Sequence, residues 1–391
     1  MLAFILSLVL HVHAGESINA ALDSARAVYA AHQEKTTIYI EPGTYQEELT
    51  IDVPGLKLKN ASRHPSLALT GQGVGCDPNA VRITWYYGHG YQYRSMGQTV
   101  NYGGSRTRLW NASVLVTAPD FYAENIIFEN SFNLYVSSRE ASDSLVDISQ
   151  SDMPWTEKER PKKKMPQRPK TTGSTEVQKK AYRERASAIS FASTATCAHL
   201  KNCRAVGRQD VVYGDQGASV YWQGGILQGG VDFIFGGMRW CADHATIIAN
   251  INGEKGDRCY ISAGRSEGRG MLFYKCHIRR ATADELNLSY GESAHTAQRK
   301  DSEKVYLSRP WRWWGETVWA YTTWEDGLLC PEAWHTGLVK DKEGYNPSSP
   351  CPNSYEYRSQ DFSAGRPQWV TILQHPRLPD GTRICPKRWM K

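Results

Sequence analysis

Asp210 and Asp232 occupy the same place in two near-copies of one segment. Gly207-Arg208-Gln209-Asp210-Val211-Val212-Tyr213-Gly214 and Gly229-Gly230-Val231-Asp232-Phe233-Ile234-Phe235-Gly236 each read Gly, two residues, Asp, three large apolar or aromatic residues, Gly, and the second copy lies 22 residues after the first. A period of that size is one rung of a solenoid, and neighbouring parallel strands lie about 4.8 Å apart. The spacing therefore predicts two carboxylates side by side on a surface lined with aromatics. Two acids so close cannot both ionise easily, so one keeps its proton while the other carries the charge. That divides the roles into a proton donor and a charged nucleophile or base. The charged member needs a cation, and Leu307-Ser308-Arg309-Pro310-Trp311 offers one: Pro310 restrains the chain after Arg309, and Trp311 presents a flat apolar face. Gln209, beside Asp210, offers an amide donor for a developing oxyanion. The plainer reading gives both aspartates to turns, where Asp is common; the aromatics and Gln209 weigh against it.

The elements that must position these groups read as strands. Thr37–Ile40, Leu49–Ile51, Leu56–Leu58, Val81–Trp85, Ser113–Val116, Asn125–Phe128, Ala188–Phe191, Ser219–Trp222, Thr246–Ile248 and Met271–Phe273 are short apolar runs separated by Gly, Asn and Asp. One amphipathic helix is predicted from Ser17 to His32, with Ile18, Leu22, Ala25, Val28 and Tyr29 on one face and Ser17 as its cap. Helices do not alternate with the strands, which disfavours a βαβ sheet. The 22-residue phase also maps Cys203 on Gly225 and Gly207 on Gly229. The fold class is therefore all-β, a parallel β-helix capped by the N-terminal helix; a β-sandwich, the competing fold, leaves the fixed offset unexplained. Residues from about 136 to 185 are polar, charged and proline-containing and read as a loop excursion. The tail from about 330 is expected to pack along the outside of the coil, so that residues 15–391 form one domain.

With 391 residues, the chain suits two domains or one elongated repeat domain. Its 13 Trp and 21 Tyr suit sugar platforms as well as core packing. The net charge of +6 is local: residues 151–185 hold 11 Lys/Arg and 5 Asp/Glu, around Lys162-Lys163-Lys164, and the rest of the chain is balanced. Such a run reads as a solvated loop or an arm for polyanions, and no nucleic-acid fold pattern accompanies it. Nine cysteines leave at least one unpaired within the chain. Cys203 and Cys276 follow apolar runs and read as buried thiols; Cys330, Cys351 and Cys385 are the better disulfide candidates. No zinc-spaced cluster appears. Residues 1–14, with Val12-His13-Ala14 at their end, read as a secretory signal, and no later stretch is long and apolar enough to span a membrane.

At these residues the chain resembles the pectin methylesterase (pectinesterase) family of carbohydrate esterases. Gly43-Thr44-Tyr45-Gln46-Glu47 resembles its GxYxE, Gln209-Asp210 the start of its QDT, Asp232-Phe233-Ile234-Phe235-Gly236 matches its DFIFG, and Leu307-Ser308-Arg309-Pro310-Trp311 resembles its LGRPW. The resemblance spans roughly residues 15–375; DFIFG and RPW in this order are specific, GxYxE alone is weak. It implies a right-handed, pectin lyase-like parallel β-helix, secreted and monomeric, that demethylates homogalacturonan (pectin) without calcium or any cofactor and without nucleic-acid or membrane partners. It implies Asp232 as nucleophile, Asp210 as acid and then base, Gln209 on the oxyanion and Arg309 on Asp232. Trp311, Phe235, Thr44 and Tyr213 would contact substrate.

Two departures stand out. The family's second oxyanion Gln, in a QAVAL segment about one coil before Gln209, would fall 22 residues back at Ser187, too short to replace it; a Gln restored there is expected to raise the rate. Val211 stands where the family has Thr. Gly264-Arg265-Ser266-Glu267-Gly268 matches GxSxG but lacks the following helix that a nucleophile elbow needs, and reads as a turn. Asn60, Asn111 and Asn287 begin glycosylation sequons short enough to arise by chance. A glycoside hydrolase on the same scaffold and a carbohydrate-binding pseudoenzyme are the rival readings.

Overall fold

A computed structural model describes residues 7–89, 91–97, 108–146, 168–178, 185–251, 258–286, 304–337, 344–360 and 365–391. Short strands separated by turn residues give a chain that bends every few residues, and each bend sends it to another face of one coil. A representative rung runs through Ser219–Gln223, Ile226–Gly229 and Val231–Gly236, after which Arg239–Asp243 returns beside Ser219–Gln223. Stacked rungs form three long sheets of 11, 8 and 7 strands, in which every pairing is parallel. The fold is thus a right-handed parallel β-helix, as the 22-residue offset led us to expect.

The core is the inside of the coil. Val114, Ile189, Val212 and Ile234 are register partners in four successive strands of the 7-stranded sheet, and all four are fully buried. Trp222 and Trp240, on neighbouring strands of the 11-stranded sheet, are buried in the core with ring centroids 5.9 Å apart and planes tilted by 31°. The first glycine of the repeated segment has a packing reason. A Cβ on Gly229 would lie 2.3 Å from the Cβ of Phe233, and one on Gly207 would lie 2.9 Å from Val211. In both copies the residue four places on takes that space.

The helix forms at Ile18–His32 with Ser17 as its cap, the hydroxyl accepting from Ala20 N at 3.3 Å. Ile18, Leu22 and Ala25 are its buried face. Glu47 supports the same end: its carboxylate accepts from Ile18 N, Asn19 N and the Ser17 hydroxyl at 2.8–3.0 Å. A carboxylate is stabilised there by the exposed N–H groups and the positive end of the helix dipole.

Residues 8–12, inside the segment expected to be a leader, form a strand. Leu8–Val12 pairs in parallel with Thr36–Ile40 along its whole length, at the edge of the 11-stranded sheet, and Val12 is buried. Cleavage after residue 14 would remove this strand and leave Thr36–Ile40 as an unpaired edge. A chain beginning at Gly15 is expected to melt several degrees below the full chain in a thermal denaturation scan. Equal melting temperatures would free residues 1–14 from any role in the fold.

At the other end, Ser354–Tyr357 pairs with Thr317–Ala320, and Thr371–Ile372 follows beyond it. The tail thus extends the largest sheet, and its last helix, Pro386–Trp389, buries Trp389 against Gly270, whose carbonyl accepts from the indole at 3.1 Å. Cys330, Cys351 and Cys385 form no disulfide, contrary to expectation, and the first two are buried. Cys203 and Cys276 are buried thiols as expected, each pushed up to about 12 by burial. Within the excursion, Arg168 returns to a buried ion pair with Glu140 at 2.5 Å; Lys162, Lys163 and Lys164 lie outside the described residues.

Candidate active site

Asp232 is the second residue of Val231–Gly236, and Asp210 lies two residues before Val212–Gly214. These strands pair as Val212↔Ile234, Tyr213↔Phe235 and Gly214↔Gly236, the predicted 22-residue step. Both aspartates hold a left-handed backbone, φ 61° and 47°, which most L-residues avoid and Asp tolerates. Two bonds fix the bend at Asp210: its N–H donates to Val231 O at 3.1 Å, and its carbonyl accepts from the Ser187 hydroxyl at 2.6 Å.

Arg309 follows the strand Lys304–Ser308, and its own N–H donates to Ser262 O at 2.8 Å. Its side chain forks onto Asp232, Nε to Oδ1 at 3.1 Å and Nη2 to Oδ2 at 2.5 Å. The guanidinium also lies 3.8 Å from the centre of the Tyr260 ring. Planar two-point pairing suits an Arg and a carboxylate better than any Lys arrangement.

The two carboxyls are both buried but unequal. Burial pushes Asp210 up to about 8, with the neighbouring Asp232 charge adding to it, while Arg185, the Gln209 amide and Arg309 pull the other way. Burial also raises Asp232, but there the charge and hydrogen bonds of Arg309 are the leading opposition. Burial thus favours the proton on Asp210, while Arg309 favours the charge on Asp232.

A cavity of about 130 Å³ opens over the dyad. Asp210, Asp232, Gln209 and Arg185 form its polar side. Trp110, Phe235 and Trp311, with Ala263, form the apolar side. Trp110 stands edge-on to Phe235 and Trp311, with centroids 5.2 and 6.1 Å away. Tyr213 packs behind Phe235 at 4.9 Å and accepts from Arg265 at 2.8 Å. Arg265 in turn lies 4.6 Å from the centre of the Trp311 ring. The GxSxG segment thus serves as a turn that braces the aromatic wall: Arg258–Gly264 leads through it to another strand, Met271–Tyr274.

Of the residues singled out in the sequence, the structure gathers Asp210, Asp232, Gln209, Arg309, Phe235 and Trp311, with Tyr213 one layer back. Thr44 does not join them. It lies on Gly43–Gln46, at the end of the 8-stranded sheet, and accepts from Arg82 at 3.3 Å. The GxYxE segment earns its place through Glu47 at the helix cap. Val211 is fully buried.

Trp110 and Arg185 were missed. Trp110 arrives on the short turn Arg108–Asn111, which carries no strand or helix period. Arg185 was hidden by a longer rung. Isolated parallel bridges join Arg185 to Gln209 and Gln209 to Val231, so the counterpart of Gln209 on the preceding rung is Arg185, 24 residues back. Further along the strand the step is 23, with Ile189 opposite Val212. Counting back 22 lands on Ser187, which is fully buried and holds the Asp210 carbonyl. A Gln there would overpack the site and release that carbonyl. Ser187→Gln is expected to lose about 1–3 kcal/mol of stability and to lower turnover, both readable from a melting curve and a rate assay. A faster variant would restore position 187 to the oxyanion hole.

Comparison with known proteins agrees with this geometry. Residues 173–340 match the family model described as Pectinesterase. Pectinesterase 31 of Arabidopsis thaliana is 24% identical over 347 residues, covering 88% of this chain and 78% of the relative. Across these rungs the chain is similar to the pectinesterase family. A pectinesterase/pectinesterase inhibitor of the same plant is 28% identical over 162 residues, 40% of this chain, which spans only 26% of that relative. Among solved structures, the pectin methylesterase PemA of Erwinia chrysanthemi shares the fold with a TM-score of 0.59 at 19% identity, over 94% of this chain and 92% of that one. Asp232 and Phe235 of the DFIFG segment and Trp311 of the RPW segment line the cavity, together with Arg185 beside Gln209.

Proposed function

We propose that this protein hydrolyses the methyl esters of galacturonosyl units in pectin, releasing methanol and leaving the free acid. The observation that carries the proposal is the buried carboxylate pair beneath an aromatic wall, with Asp232 forked by Arg309 and Asp210 pushed toward its protonated form by burial. The Asp232 carboxylate attacks the ester carbonyl carbon, and the carbonyl π pair moves onto oxygen as an oxyanion facing Gln209. The C–OCH₃ bond breaks, methanol leaves with the proton from Asp210, and an acyl-enzyme anhydride remains. Asp210, now a carboxylate, takes a proton from water, the hydroxide attacks the anhydride, and Asp232 is regenerated. Trp311, Phe235 and Trp110 would hold the sugar ring and methyl group. Pectin as substrate also supports a secreted protein, working as a single chain; among the described residues no helix is long and apolar enough to cross a membrane.

The test is methanol release from highly methylated pectin across pH. Asp210 must be protonated for the first step and holds its proton up to about 8, so kcat should fall above roughly that pH. The acid limb belongs to Asp232, which must be charged, and should lie above the ordinary Asp value because burial raises it. Reducing ends without methanol would mean glycosidic cleavage, and binding of pectin without turnover would mean a pseudoenzyme.

A further inference from the structure

We infer that Arg185 is a catalytic residue of the esterase proposed above: its guanidinium supplies the second donor to the tetrahedral oxyanion, as a charged group where an amide would serve in a neutral hole. The inference rests on that reading of the dyad and adds to it a residue and a mode of stabilisation.

Placement comes first. Arg185 is the register partner of Gln209, which is the register partner of Val231 beside the nucleophile. The three positions form one short row across the rungs, so residues 185 and 209 face the same cavity from neighbouring strands. The backbone of Arg185 is tied on both sides: its carbonyl accepts from His89 N at 2.9 Å, and the next N–H, on Ala186, donates to Gln209 O at 3.1 Å. The base of the side chain is therefore held by the sheet even though its head is exposed.

The cavity then limits the choice of donor. Its wall carries Asp210 and Asp232, which supply the proton and the attacking pair, and three aromatic rings. Arg309 is committed to Asp232 through two of its nitrogens. Gln209 is tied to the Asp210 carboxyl, and one amide is a thin hole for a full negative charge. Arg185 brings five N–H donors and a permanent charge to the same wall. Its charge reaches both carboxyls, which places it within the field of the reacting atoms. A charged donor strengthens as negative charge develops on the carbonyl oxygen, which is the condition for lowering the barrier rather than only binding substrate. It also attracts the product, since demethylation leaves a carboxylate where the ester was.

The experiment compares Arg185→Ala and Arg185→Gln with the wild type on a fully methyl-esterified oligogalacturonide, which has no free carboxylate for Arg185 to bind as an ion. Methanol release is measured as kcat and KM, with inhibition by the demethylated oligogalacturonide. Arg185→Ala should lose about 100- to 1000-fold in kcat, with KM within a few-fold. Arg185→Gln should recover most of that kcat and be inhibited less by the acid product than the wild type. Removing the positive charge should also move the alkaline limb of kcat upward in both variants. A kcat for Arg185→Ala within about threefold of the wild type, a loss confined to KM, or an Arg185→Gln as slow as Arg185→Ala would each overturn the inference. Wild type that releases no methanol would instead sink the esterase reading on which it stands.

Discussion

Asp232→Asn loses methanol release by about 10⁴- to 10⁶-fold, the range seen when a covalent nucleophile is removed. The amide has nearly the shape of the carboxylate and keeps one oxygen to accept from Arg309, so the protein still folds. What it lacks is the charged lone pair that attacks the ester carbon, and no neighbouring group can take its place: Asp210 is the group that burial and the Asp232 charge keep protonated. The measurement is single-turnover and steady-state methanol release beside a melting curve. Turnover within tenfold of the wild type, from a folded variant, would remove Asp232 from the nucleophile's role.

Arg309→Met should cost both activity and stability, and the two losses should depend on pH in opposite directions, activity suffering most at acid pH and stability most at alkaline pH. Arg309 is the leading influence that opposes burial at Asp232. Without it the Asp232 carboxyl rises further, its charged fraction at neutral pH shrinks, and the acid limb of kcat moves up. The effect on stability has a definite sign. A carboxyl whose folded value lies above its unfolded one favours the fold fully below the unfolded value of about 4, and that contribution is lost as pH rises toward the folded value. The deficit of Arg309→Met should therefore be small near pH 4 and reach about 3 kcal/mol near pH 8, the scale of a broken buried ion pair. Melting curves at pH 4.5 and 8 test this. A pH-independent deficit would mean that Arg309 matters through its packing on Tyr260 rather than through its charge.

Wild-type Asp210 follows the same rule. Held up to about 8, it favours the fold at low pH and withdraws that support as pH rises from about 4 to 8. A site that keeps a buried acid ready to donate a proton gives up stability at the pH where it works.

Much of this was legible in the chain because it depends on local requirements. The 22-residue copy betrays itself because one rung leads to the next with no insertion: Gly207 and Gly229 yield space to Val211 and Phe233, and Asp210 and Asp232 take the same left-handed bend. The helix at Ile18–His32 is written in its period and its cap. Arg309 could be found because Pro310 and Trp311 mark it.

The remaining features depend on lengths that vary off the sheet. Chain inserted or removed at a bend leaves the strand register intact but changes the count between equivalent residues, so the step from Gln209 back to its partner is 24 and not 22. That difference separates Arg185, which faces the cavity, from Ser187, which is buried beneath it holding the Asp210 carbonyl. Trp110 reaches the site from a turn with no period of its own, and GxYxE gave no sign that Glu47 caps a helix distant in sequence. That Cys330, Cys351 and Cys385 form no disulfide likewise follows from where the rungs place them, which spacing does not encode. By itself the sequence determined the repeat, the two unequal acids and their arginine, since each is a demand of the backbone on a single residue type. Only the tertiary structure decided which side chains share the cavity with them, because that is set by register between rungs, and register survives changes in chain length that counting along the sequence does not.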